Sequence, residues 1–391
     1  MSALLLQNGT VFDGTGLDPV SNADVLIEDN KIAGVGPSGS LDVPEGAQIV
    51  NTAGKFVMPG MFNNHSHLGW DGKRDLEKQG KEDSDSVTTA VVIMNMGRSL
   101  EAGVTSVRDL GMNNAGFIAL DVKERGLVTS PRLFIAGKAI CMTGGHTWWC
   151  CQEADGPTGV RQAVREQVKK GATVIKMMAS GRHPEFTQEE LDAAGHEAHE
   201  LGVKITAHAT IPQAVDKVLN AGYDCIEHGA AFNEEQIERM LEAGTFVVTT
   251  LSPGYLQAKH GLELGLGWTE EQVQARRERL KNPERALLTG KAGRAGVPLA
   301  FGTDAGSPAV PHNNIADEFK YLVEVGVVDS VKDVLLMATR NSAQLNGVED
   351  SLGTLEVGKL ADLVVIDGDP TENVDDIRNV EQVYLDGQRV I

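Results

Sequence analysis

The rhythm of apolar and polar positions changes twice along the chain. Residues 1–56 alternate short apolar runs with turn residues, as in "LLLQNGTVFDGTG", "ADVLIEDNKIAGVG" and "AQIVNTAGK". Asn8-Gly9 and Asp29-Asn30 sit between these runs as hairpin turns do. Residues 355–391 return to the same texture in "ADLVVIDGDP" and "EQVYLDGQRVI". Between them, β-rich runs recur at 57–67, 104–109, 132–140, 173–178, 203–208, 224–228, 246–251 and 298–304. Helical segments separate them, with start signals in the capping boxes Thr187-x-x-Glu190 and Thr269-x-x-Gln272 and an N-cap at Asn233. Strand and helix in alternation imply a parallel sheet, and eight units suggest a closed barrel. The pattern therefore predicts an α/β fold: a (β/α)8 TIM-like barrel over residues 57–354, with a small β-sandwich built from both termini, 1–56 and 355–391.

Composition narrows the function. At 41% hydrophobic residues and 14 prolines, the chain reads as an ordinary globular protein, and its net charge of -20 argues against a nucleic-acid partner. The start "MSALLLQNGT" lacks the charged lead and longer apolar core of a secretion signal, and no apolar run approaches the roughly 20 residues that span a bilayer. A cytoplasmic protein with no membrane partner is expected. Cys141, Cys150, Cys151 and Cys225 form no CxxC pair and read as free thiols, with a redox role for the adjacent Cys150 and Cys151 the less favoured alternative.

Ionisable residues then fall at the ends of the predicted strands, where barrel enzymes carry their chemistry. In "NNHSHLGW", His65 and His67 are two apart, so a strand points both to one side, as a metal ion requires. Lys176 lies in "VIKMM", where an ammonium is costly unless paired or chemically altered. His208, His228 and Asp304 close the fifth, sixth and eighth runs. Any one has an ordinary structural explanation, but six in succession do not fit coincidence.

These stretches, "MPGMFNNHSH", "VIKMMASG", "ITAHA", "IEHGA", "FGTDAG" and "GTLEVGKLADLVVIDGDP", resemble the amidohydrolase superfamily of metal-dependent hydrolases over nearly the whole chain. With "TGGH" at residues 143–146, the chain is most similar to the dipeptidase and prolidase-like branch. The resemblance implies a centre of two divalent ions, zinc being the expected one. His65, His67 and Asp304 would hold one ion, His208 and His228 the other, and a carboxylated Lys176 would bridge them. A carbamate turns a costly ammonium into an anion with two oxygens, and zinc and hard divalent ions accept such oxygens beside imidazole. The chain departs from the family at Asn63, where Asp is usual, which puts metal affinity in question through the groups around the ligands.

The expected activity is cleavage of the C–N amide bond of a small molecule, a dipeptide, an N-acyl amino acid or an aromatic amide, by a hydroxide shared between the ions. Asp304 would move the proton. His146 either donates a hydrogen bond to the substrate carbonyl or orders its loop. Tyr255 resembles a carboxylate-binding position of dipeptidase relatives, while Arg182 and His183 either join it or lie on the surface. Trp148 and Trp149 either wall the pocket or pack on the rim. Carbamate or cyclic-amide hydrolysis is an alternative. A mononuclear deaminase is disfavoured because Ile211 stands where such enzymes resemble each other in placing Glu, and a non-catalytic scaffold because all six ligand positions are filled. His196-Glu197-Ala198-His199 has the wrong spacing for a zincin helix and reads as a solvated face. The partner is a small-molecule substrate, and the chains are expected to associate as homo-oligomers.

Overall fold

The computed structural model describes residues 3–391. The barrel strands are β1 (Met61–Ser66), β2 (Val104–Asp109), β3 (Arg132–Ile135), β4 (Val174–Met178), β5 (Lys204–His208), β6 (Cys225–Glu227), β7 (Phe246–Thr249) and β8 (Leu299–Phe301). The strand pairings between neighbours among them are all parallel. The ring is completed on one side by Thr173, whose N–H donates to Ile135 (2.8 Å), and on the other by a parallel bridge from Ser66 to Ala305. The third predicted run is split. After β3 the chain forms a second short strand, Ile140–Cys141, which pairs with Gln152–Glu153 and so ties down the base of the loop that carries His146.

The strands hold their side chains as a period of two requires. Ile175, Met177, Ile205, Ala207, Ile226 and Val247 pack outward into the large core shared with the helices. Cys225, Val248 and Ala300 form a separate inner cluster. The helices start where expected: Thr187, Asn233 and Thr269 each accept from the N3 amide in a complete capping box.

Strands from both termini form one eight-stranded sheet, in which Lys55–Pro59 lies between Ala3–Val11 and Leu363–Asp367. Alternation along these strands gives the sheet two apolar faces. Val57, Leu363 and Val365 meet Leu6, Val25 and Ile32 in the sandwich core, whereas Phe56, Met58, Val364 and Ile366 join the barrel core. Arg132 of β3 adds a two-pronged ion pair to the buried Asp362 at 2.6 and 2.9 Å. Two expectations need correction. Asp29-Asn30 makes the predicted turn, but Asn8-Gly9 is a bulge inside Ala3–Val11, with Asn8 at φ +68°, where the strand passes from one parallel partner to the next. The run at 57–67 is also divided, because Gly60 ends the sheet strand and begins the barrel.

Gly60 is required by space: a Cβ there would stand 2.1 Å from Thr105 Oγ1 and 2.5 Å from its Cγ2. We predict that Gly60→Ala destabilises the protein by about 1–3 kcal/mol in denaturant unfolding, as overpacking does. Adding Thr105→Ala, which removes both of those atoms, should recover part of the loss.

Candidate active site

At the C-terminal mouth of the barrel, four imidazoles and one carboxylate converge. Ring centroids lie 4.5 Å apart for His65 and His228, 4.6 Å for His208 and His228, and 5.3 Å for His65 and His67. Ligand atoms of His65, His228 and Asp304 all lie within 4.8 Å of one another, a spacing that suits one cation. Asp304 Oδ1 stands 3.2 Å from His67 Nε2 and 3.7 Å from His65 Nε2. The backbone bends to make this possible. His228 (φ +69°) and Asp304 (φ +58°) are left-handed, a costly conformation away from glycine that is characteristic of functional sites. At His228 the twist directs the ring inward although Glu227, one residue earlier, already faces the axis.

Three of the four imidazoles turn one nitrogen to the cluster because the opposite ring nitrogen is occupied. His65 Nδ1 meets Glu227 Oε2 at 2.7 Å, His67 Nδ1 donates to the Gly111 carbonyl at 2.8 Å, and His228 Nδ1 meets Thr250 Oγ1 at 2.7 Å. Burial holds His65 down to about 4, aided by the Lys176 charge, and pushes His208 and His228 well below the usual imidazole range. Neutral imidazoles are the metal-binding form.

Lys176 is fully enclosed, and its Nζ has no hydrogen-bond partner. Burial lowers its pKa and outweighs the attraction of Glu227. An orphaned, buried amine of lowered pKa beside imidazoles and a carboxylate fits a carbamate bridging two cations.

Glu227 is the residue that the sequence reading missed. Wholly buried, it accepts from Arg108 Nη2 (2.6 Å) and Thr206 Oγ1 (2.5 Å) as well as orienting His65. Burial works against its charge, but Arg108, His65 and Lys176 together hold its carboxyl far below the ordinary range. It stands inside the quoted "IEHGA", one residue before a ligand candidate, and strand alternation was the available signal. Asn63 has a different task from the one expected of it. Its side chain accepts from the backbone N–H of His65 (3.3 Å) and of Thr303 (3.1 Å), fastening β1 to the end of β8, and it does not touch a ligand ring.

His146 stacks on His208 at 4.5 Å, and its N–H donates to Glu185 at 2.9 Å, so this loop histidine reaches the cluster. Trp149 packs 5.8 Å from Trp70, which covers His67 at 4.4 Å, while Trp148 is 45% exposed on the outside. Tyr255 lies on the helix Ser252–His260 after β7, stacked on Tyr321 at 4.4 Å. Arg182 and His183 are exposed on the turn after β4. The helix carrying His196 and His199 is less solvated than expected, because Glu197 turns inward to meet Arg165 at 2.6 and 2.9 Å.

Comparison with known proteins places this geometry. The Amidohydrolase family profile matches residues 56–390. Ochratoxinase of Aspergillus niger is 28% identical over 415 residues, covering 95% of this chain and 82% of that protein. The structure of a Xaa-Pro dipeptidase with bound methionine in its active site superposes with a TM-score of 0.87 at 30% identity, over 99% of both chains. A prolidase complexed with N-methylphosphonate-L-proline gives the same score and identity over 100% of this chain and 99% of that one.

Glu227→Gln should leave Arg108 buried and unpaired and loosen His65. We predict a stability loss of about 3–5 kcal/mol by thermal or denaturant unfolding and about a 10–100-fold loss of affinity for zinc in chelator competition. Unchanged zinc affinity would mean that Glu227 does not orient His65.

Proposed function

This chain belongs to the amidohydrolase family and is a hydrolase that acts on C–N bonds, and from that premise we propose that it cleaves the amide of a small, amino-acid-sized molecule at a centre of two divalent ions. The observation that carries the reading is the unpartnered Lys176 Nζ at the heart of the imidazole cluster. His65, His67, His208, His228 and Asp304 would hold the ions with carboxylated Lys176 between them. Bound there, the ions would supply an acidified water and polarise a substrate carbonyl. Imidazole together with carboxylate and carbamate oxygens favours zinc. Carbon dioxide adds to the deprotonated amine of Lys176, releasing one proton as the carbamate forms, and the burial that lowers the pKa of Lys176 assists that deprotonation.

The protein's own groups then divide the reaction. Asp304 is kept deprotonated against its burial by the hydrogen bond from His67 and by His65. It takes the proton of the attacking water and returns it to the leaving nitrogen as the C–O bond forms and the C–N bond breaks. His146, brought over the cluster by its stacking on His208, donates to the acyl oxygen as negative charge develops. Tyr255 would receive a carboxylate of the leaving group. The Xaa-Pro dipeptidase that holds methionine supports a substrate of that size.

Lys176→Ala is predicted to lower bound zinc below two ions per chain and to reduce kcat/KM for a cleaved dipeptide or N-acyl amino acid by more than about 100-fold, with partial recovery in propionate. Full activity with a single ion would contradict the two-ion centre. Asp304→Asn should lower kcat by about 10²–10⁴ while KM stays near its original value, because proton transfer is made only in the transition state.

A further inference from the structure

The loop that carries His146 is fastened by a residue outside the ligand set. Glu185 stands on the short excursion after β4, and both of its carboxylate oxygens face the His146 N–H, at 2.9 and 3.0 Å. Its own N–H donates to the Ala179 carbonyl at 2.8 Å. The Ala179 N–H in turn donates to the His208 carbonyl at 3.0 Å, and the Ser180 N–H donates to the same oxygen at 3.1 Å. Glu185 is therefore tied by its side chain to the backbone of His146 and by its main chain, through Ala179, to the backbone of His208. These are the two residues whose rings stack at 4.5 Å.

Two glycines leave room for that carboxylate. A Cβ on Gly145, on the His146 loop, would stand 2.5 Å from Glu185 Oε2, and a Cβ on Gly181 would stand 2.5 Å from Oε1. The excursion is closed by an antiparallel bridge between Ser180 and Pro184 and by the Gly181 N–H donating to the His183 carbonyl at 3.0 Å, so Glu185 projects from a fixed base. The His146 loop needs such a hold, because the pairing of Ile140–Cys141 with Gln152–Glu153 fixes its ends and not its tip.

The carboxylate is poorly placed for stability. Glu185 is 7% exposed, has no ion-pair partner among the described residues, and accepts there only the one N–H. Burial raises its pKa against that hydrogen bond. An anion enclosed on these terms costs stability, and a group retained at such a cost is accounted for by function.

We infer that Glu185 is a positioning residue that holds the His146 ring against His208, and so directs it to the acyl oxygen of the substrate. This rests on the role given to His146 in amide cleavage and adds the residue that fixes its place. The carboxylate acts through the His146 main chain.

The test is NMR of the zinc-loaded full chain with ¹³C-labelled histidine, the His146 ring signal being the one lost in His146→Ala. Stacking on His208 shifts that signal from the position of a free imidazole. Glu185→Ala should move it toward that position, and so should Gly181→Ala, whose methyl displaces Oε1 without touching either residue. The nearly isosteric Glu185→Gln, which keeps one acceptor oxygen, should move it less, and it decides by the same signal if Glu185→Ala does not fold. An unmoved His146 signal in the folded variant would overturn the inference. So would a shift of all the cluster histidines together, which would make Glu185 a general structural residue. For an amide that is cleaved, Glu185→Ala should lower kcat about 10–100-fold with KM little changed, and should add little to the loss caused by His146→Ala. Equal losses with and without His146 would overturn the inference. A wild-type enzyme that cleaves no amide would instead defeat the proposed reaction, and the ring signal would still decide whether Glu185 places His146.

Discussion

A lysine ammonium cannot rest unpaired in a low-dielectric barrel interior, and the arrangement of this site follows from that constraint. Lys176 is enclosed on β4 with no partner for Nζ, although Glu227 is near enough to act on its charge. Glu227 is already committed to Arg108, Thr206 and His65. The barrel thus contains one satisfied ion pair and one unsatisfied amine. The amine gains most by becoming an anion that cations can share, and the surrounding imidazoles are the groups that would complete such a centre.

The same economy explains the backbone at the mouth. Strand alternation alone would place either Glu227 or His228 inward. The left-handed conformation at His228 brings both, so that a carboxylate orients His65 while the next residue offers its own ring. Asp304 is turned in the same way beyond β8, and the Asn63 contacts to Thr303 fix the crossing from which it projects. The strain is held by the parallel bridge between Ser66 and Ala305 that closes the barrel.

Much of this was legible in the sequence because periodicity reports burial directly. The eight β-rich runs contain the eight barrel strands, and the three predicted helix starts are complete capping boxes. Local pattern failed where tertiary space decides. Gly60 separates two strands because Thr105 leaves no room for a side chain, and nothing near Gly60 in the sequence announces that neighbour. Asn8-Gly9 has hairpin chemistry but serves a bulge, since a residue tolerant of positive φ suits both. Glu227 was hidden beside a more conspicuous histidine.

The central claim, that Lys176 is carboxylated and lies between two metal ions, is tested most directly by ¹³C NMR of zinc-loaded protein equilibrated with ¹³C-bicarbonate. The account predicts one carbamate resonance per chain, absent from Lys176→Arg and lost when zinc is removed. Two bound zinc ions with no carbamate signal would contradict it.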